Sequence, residues 1–184
     1  MVGAATPSLQ PLLSRDDLEP LTSNLKMLDI LARGAAEVGL AGSAAWVSES
    51  SLIEWFWERV VQGHGRSVLH ARVLERLATQ HADLGVSAVA ITDLSDAEAL
   101  LVPELERLAL VAQWDGAARL THDVIGDYAR QRFLLARLAA HAPDDVQRRL
   151  TSPVWHAAIS LVALHFLEAR ESTEERSAIE GLRA

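Results

Sequence analysis

The stretch Leu110-Val111-Ala112-Gln113-Trp114-Asp115-Gly116-Ala117-Ala118-Arg119-Leu120-Thr121-His122-Asp123-Val124-Ile125-Gly126-Asp127-Tyr128-Ala129 decides the fold. Two short extended runs flank Asp115-Gly116, a pair suited to the left-handed backbone of a two-residue turn, and together they predict a β-hairpin. A helix then opens at His122 or Asp123 and continues through about Leu138. Val124, Ile125, Tyr128, Phe133 and Leu135 are available for packing along it.

Reading outward, Val68, Leu69, Val73, Leu74 and Leu77 predict a helix from about Arg66 to His81. Val86 to Ile91 is β-branched and alanine-rich, as a short strand or extended segment would be. Ser95-Asp96-Ala97-Glu98 has the spacing of a capping box and opens a helix over Ala99 to Val102. Pro103 suits the first turn of the next helix, which runs to Leu108. Helix, short strand, helix, helix, hairpin, helix is the order of a winged-helix domain, with the hairpin as wing and Pro103–Leu110 in the place of the recognition helix. The expected fold class is therefore mainly α with a small β-hairpin: a winged-helix domain over residues 66–141, flanked by helical segments over 1–65 and 142–184.

Turn chemistry sets those boundaries. Gln62-Gly63-His64-Gly65 ends one helix and Ala142-Pro143-Asp144-Asp145 another. In the first segment Ser14-Arg15-Asp16-Asp17 has capping-box spacing, and Leu21, Leu25, Leu28 and Leu31 share a helical face. Gly34 to Gly42 reads as a loose connection. Ser51 and Glu54 read as a second capping box ahead of Leu52, Trp55, Phe56, Val60 and Val61, and Trp55-Phe56-Trp57 as core or seam aromatics. After Ser152 as N-cap and Pro153, the positions Trp155, Ile159, Val162 and Phe166 lie about a turn apart. The tail from Glu168 is charged and is expected to be frayed or solvated.

Composition restricts the function classes. The 184 residues are 49% apolar and 23% charged, which predicts a packed core. There are no cysteines, so disulfides, thiolate zinc sites and cysteine nucleophiles are excluded. The formal net charge is −8, contrary to the charge of a chain that coats nucleic acid or anionic lipid. Pro103–Leu110 carries Glu104 and Glu106 against Arg107, and the hairpin has no base before Arg119, so a DNA-binding regulator is the weaker reading. Neither a signal-peptide pattern after Met1 nor an apolar run of bilayer length is present, which points to a cytoplasmic location without a membrane.

The motif Thr121-His122-Asp123-Val124-Ile125-Gly126-Asp127-Tyr128-Ala129, with the hairpin before it, resembles the His-Asp motif of the winged-helix region in STAND-class signalling NTPases, the NACHT and NB-ARC relatives. The resemblance covers about residues 50–140 well and 15–50 fairly. It implies that His122 contacts the β-phosphate of bound ADP, that Asp123 and Thr121 support the motif, and that the winged helix restrains a neighbouring ATPase core until ATP replaces ADP. The partner would be the NTPase core of the same parent polypeptide, copies would assemble on activation, and defence against phage is common among bacterial members. Pro20 lacks the Gly-x-Pro context of the family's adenine-side proline. Physically, an imidazole N–H at a helix N-terminus is a suitable donor to a phosphate oxygen.

The sequence also limits this reading. A phosphate-binding loop ends in Gly-Lys-[Ser/Thr], but Lys26 is the single lysine and lies in Asn24-Leu25-Lys26-Met27. No acidic strand of Walker B type is present. The chain is therefore not expected to be an enzyme by itself, and ADP or ATP would be held only together with a core elsewhere. Seven histidines (64, 70, 81, 122, 141, 156 and 165) show no metal-ligand spacing, so no metal is predicted. His70, His81, His156 and His165 read as surface or packing positions. The competing reading from another class is a free-standing protein-interaction adaptor that uses Trp55, Trp57 and Trp114.

Overall fold

A computed structural model describes residues 19, 25–38, 48–61, 63 and 67–183. The chain is mainly helical with a small three-stranded antiparallel sheet. In order come α1 (Leu25–Val38), α2 (Glu49–Phe56) continuing into a π-turn (Trp57–Val61), α3 (Ser67–Leu84), β1 (Val89–Ala90) and a 3-10 turn (Ile91–Asp93). Then follow α4 (Asp96–Ala99), α5 (Val102–Arg107), β2 (Val111–Trp114), β3 (Ala117–Leu120), α6 (Asp123–Ala139) and α7 (Pro143–Gln147). A 3-10 turn (Pro153–Trp155) leads into α8 (His156–Arg183).

The hairpin forms where Asp115-Gly116 predicts it. Asp115 has φ 49° and Gly116 φ 72°, so both central residues are left-handed, as the twist of a two-residue hairpin requires. β2 and β3 pair Val111 with Leu120 and Trp114 with Ala117. The extended segment before Ile91 shortens to Val89–Ala90 and adds itself to the other edge of β3, giving the order β1-β3-β2. The Ser95–Glu98 capping box is present.

Several local expectations are corrected. The cap of α2 is Ser48, with Ser51 at N3, because two serines exchange the reciprocal hydrogen bonds that Ser51 and Glu54 were expected to make. The predicted loose connection from Gly34 is helical as far as Val38, since α1 absorbs its alanines. The tail from Glu168, expected to be frayed or solvated, is helical and continues α8 to Arg183. The Ser14–Asp17 box and Leu21 lie outside the described residues.

One core unites the first three helices with the sheet. Val73, Leu74, Leu77 and Ala78 of α3 pack with Ile125, Tyr128 and Ala129 of α6, and Val89, Val111 and Ala118 cover them from the strands. Leu52, Phe56 and Trp57 join from α2 and its π-turn, and Met27, Ile30 and Leu31 from α1. Gly63 follows the π-turn for a steric reason: a Cβ there would sit 2.1 Å from the carbonyl oxygen of Arg59.

A second, smaller core crosses the 142 boundary, joining Ala82 and Leu134 to Trp155 and Ala158. Asp83 holds it at the rim. Its carboxylate accepts from the Trp155 indole N–H at 3.1 Å, from Arg149 Nε at 3.1 Å and from Arg149 Nη2. The Arg149 guanidinium lies over the Phe133 and Trp155 rings at 4.9 and 4.8 Å.

Asp83→Ala leaves the Trp155 N–H without its acceptor. We expect a loss of about 1–3 kcal/mol, because a buried orphaned donor keeps its desolvation cost. Urea denaturation followed by tryptophan fluorescence measures it, and an unchanged midpoint would show that the clamp is idle. Glu98 gives a pH signature. Burial pushes its carboxyl up, but hydrogen bonds from the Ser95 N–H and hydroxyl and the Arg76 guanidinium outweigh this and hold it below its ordinary 4.5. A lowered folded pKa stabilises the fold fully above the unfolded value and loses that stabilisation as pH falls through the folded one. Glu98→Gln should therefore cost stability at neutral pH and soften the decline below about pH 4.5, as acid titration of the thermal midpoint would reveal.

Candidate functional site

The junction between hairpin and α6 carries the residues singled out in the sequence. His122 is the N-cap of α6, with extended φ −133° and ψ 134°, and its side chain makes no capping hydrogen bond. Asp123 occupies the first helical turn, where a carboxylate complements the helix dipole. Thr121 is committed to the backbone: its hydroxyl donates to the carbonyl of Ala109 at 2.7 Å and its N–H to Leu110 at 3.1 Å.

The ring of His122 faces α1, and its side chain is 25% exposed. Nε2 lies 3.0 Å from Oδ2 of Asp29 and 3.4 Å from Nη2 of Arg33. Asp29 and Arg33 also form an i,i+4 pair, Oδ2 to Nε at 2.9 Å. Arg33 then reaches across to the turn that precedes β2, donating from Nη1 to the carbonyls of Leu108 at 3.4 Å and Ala109 at 3.2 Å. Ala109 itself is held in the left-handed region at φ 52°. Arg33 and Thr121 therefore converge on the carbonyl of a strained non-glycine residue.

His122 also borders a cavity of about 400 Å³ between α3, the sheet and the first turns of α6. His81, Arg119, Thr121, His122, Asp123 and Arg130 give it a polar lining. Arg130 is 4% exposed, pairs with Asp127 and donates to the Ala78 carbonyl at 3.4 Å, while its Nε has no partner. Gly126 makes room for the Leu120 side chain: a Cβ there would come within 3.1 Å of Leu120 Cδ1, while its 3.6 Å approach to Arg130 Nη1 would be ordinary contact. The lining offers hydrogen-bond donors suited to a small anion. Among the described residues no group of three or more His, Asp or Glu is placed to hold a metal ion, and no helix is long and apolar enough to cross a membrane.

Other sequence candidates separate. Tyr128 faces inward, edge-on to Trp57 with centroids 5.4 Å apart, and burial pushes its phenol up to about 12. Trp57 is 2% exposed and belongs to the core, whereas Trp114 is 80% exposed at the end of β2. His70 is fully buried, with Nε2 3.5 Å from Glu104 of α5. Glu106 braces α5 against β2 by accepting from the Gln113 N–H at 3.2 Å and amide at 3.0 Å. Both acids of α5 thus have partners within the chain. Asp29, Arg33 and Arg130 were missed in the sequence reading. Asp29 and Arg33 are an ordinary i,i+4 pair there, and nothing local signals that they meet residue 122.

Comparison with known protein families, curated proteins and solved structures finds no match to this chain.

Ala109→Gly tests the strain at the junction. Relief of the left-handed penalty exceeds glycine's extra unfolded-state freedom, so we expect a gain of about 0.5 kcal/mol. Chemical denaturation measures it, and a loss of stability would mean that the Cβ of Ala109 contributes packing instead.

Proposed function

We propose that the chain is the regulatory winged-helix portion of a STAND-type NTPase, helping to hold ADP and restraining a neighbouring ATPase core in a signalling protein. The observation that carries this reading is the position of His122: it caps a 17-residue helix directly after a hairpin, leaves the capping bond unmade and keeps its ring partly open to solvent. The order of elements around the three-stranded sheet agrees with a winged helix, and the Asp123 and Tyr128 positions support the motif from the helix start and from the core. His122 puts an imidazole beside the helix start, and Arg119 adds positive charge to the lining of the cavity that His122 borders. The chain itself has no Gly-Lys-[Ser/Thr] loop, so the nucleotide would be gripped chiefly by the core of the parent polypeptide. Assembly of copies on release of ADP follows from the same reading.

In the full-length parent protein, His122→Ala removes a hydrogen bond to a charged group, worth about 1.5–3 kcal/mol, and should speed ADP loss roughly ten- to hundred-fold. Release of a fluorescent ADP analogue measures this. Retention indistinguishable from wild type would remove His122 from the nucleotide site. A second reading, a free-standing adaptor, is favoured by one observation, the exposed Trp114 at the hairpin end. A parent protein that is indifferent to nucleotide and loses a protein partner on Trp114→Ala would replace the first reading with this one.

A further inference from the structure

We propose that the cavity beside the end of β1 binds a small organic monoanion, a carboxylic acid with an apolar body. Arg130 is its buried anchor and Arg119 a second cation at its rim. This site stands apart from the nucleotide reading, since no hydrogen bond from His122 enters it.

The cavity exists because the sheet stops short. β1 pairs with β3 only through Val89 with Ala118 and Ala90 with Ala117, so past Ala118 the strand runs on without that neighbour. Ser87 and Ala88 line the gap from one side, and Arg119 and Leu120 from the other. The Leu120 N–H is turned toward it, because the next N–H, that of Thr121, bonds to Leu110 on the β2 side and successive residues of a strand point to opposite sides. It has no ladder partner in β1. The volume of about 400 Å³ lies in the range of small-molecule sites and far exceeds the roughly 30 Å³ of one water.

Arg130 supplies the anchor. A guanidinium carries five N–H donors in a fixed fork. Arg130 is 4% exposed, yet among the described residues it finds only two acceptors: Asp127 Oδ1 for Nη2 at 2.5 Å, and the Ala78 carbonyl for Nη1 at a long 3.4 Å. Its Nε is buried without a partner. A buried charged group left short of acceptors carries an uncompensated desolvation cost, which an incoming acceptor relieves. The fork lies against Gly126, where an added Cβ would stand 3.6 and 3.7 Å from Nη1 and Nη2. Both residues line the cavity, and the glycine leaves that edge of the fork without a side chain over it.

The rest of the lining selects the ligand class. Arg119 is exposed and its side chain has no ion pair among the described residues. Asp123 in the lining and Asp127 on Arg130 already place two carboxylates beside the two arginines. Unfilled donors therefore remain without a surplus of positive charge. A single carboxylate, one charge over two oxygens that match a guanidinium edge, suits this balance better than a dianion. Leu77, Val89 and Ala118 are buried residues that add apolar surface to the lining. A bare ion leaves that surface wet, whereas an acid with an apolar body covers it.

The test titrates the 184-residue chain with benzoate at constant ionic strength and follows backbone amides by NMR, with benzamide as the neutral isostere. We expect saturable shifts at Val89, Ala118 and Gly126, and benzamide binding weaker by roughly ten-fold or more. Arg119→Gln, at an exposed position, should weaken benzoate about two- to five-fold. Arg130→Lys keeps the charge but loses the fork and should weaken it about ten-fold, with far-UV circular dichroism confirming the fold. Should Arg130→Lys fail to fold, benzamide and Arg119→Gln still decide. Shifts that do not saturate, benzamide binding equal to benzoate, or undiminished affinity in Arg119→Gln would each overturn the proposal. Displacement of benzoate by an equal concentration of inorganic phosphate would reveal a site for any anion and overturn it as well.

Discussion

The carbonyl of Ala109 is the point on which the junction depends. It belongs to a residue in the left-handed region, which costs an L-amino acid roughly 1–2 kcal/mol unless its surroundings enforce it. Three parts of the chain enforce it here. The turn places Leu110 in the core and starts β2, the Thr121 hydroxyl ties the end of β3 to the same oxygen, and Arg33 ties α1 to it. The residue that follows Thr121 is His122, so the geometry of the candidate site descends from this one hydrogen-bonded turn. Loosening it would cost the Arg33 tie to α1 and the Thr121 tie to the end of β3 together.

The two cores divide the remaining work. The larger one is built from helices whose apolar faces have the periodicity the sequence displays, and the sheet closes it with small residues such as Ala118. The smaller one depends on polar chemistry at its rim. There Asp83 neutralises Arg149 and satisfies the indole of Trp155, so a charged pair and two aromatic rings hold α3, α6 and the start of α8 in one unit. This continuity carries the packing across residue 142.

Much of the fold was legible because local rules agreed with each other. Asp115-Gly116, the Ser95–Glu98 box and Pro103 each specify a backbone geometry that tertiary contacts had no reason to override. Legibility failed where two local solutions competed. Ser48 displaced Ser51 as the cap because serine can fill either half of a reciprocal box, and the alanines after Gly34 carried the helix on where a connection was expected. The candidate site was half visible. Thr121, His122 and Asp123 are contiguous and follow a hairpin, so position alone announces them. Asp29 and Arg33 lie about ninety residues away, and i,i+4 pairing fully accounts for them within their own helix. Only the packing of α1 against the Ala109 turn gives them a second role.

That second role couples the two ends of the junction. Arg33 donates through Nη1 to the turn before β2 and through Nη2 to the ring at the head of α6, so a shift of α1 is felt at both. The coupling needs no long pathway, since the three side chains meet within 3.4 Å. The Asp29 carboxylate adds little to it: a partly exposed pair that lacks good hydrogen-bond geometry contributes at most about 1 kcal/mol. The observed arrangement therefore rests on Arg33, whose guanidinium closes α1 onto the turn and onto the imidazole together.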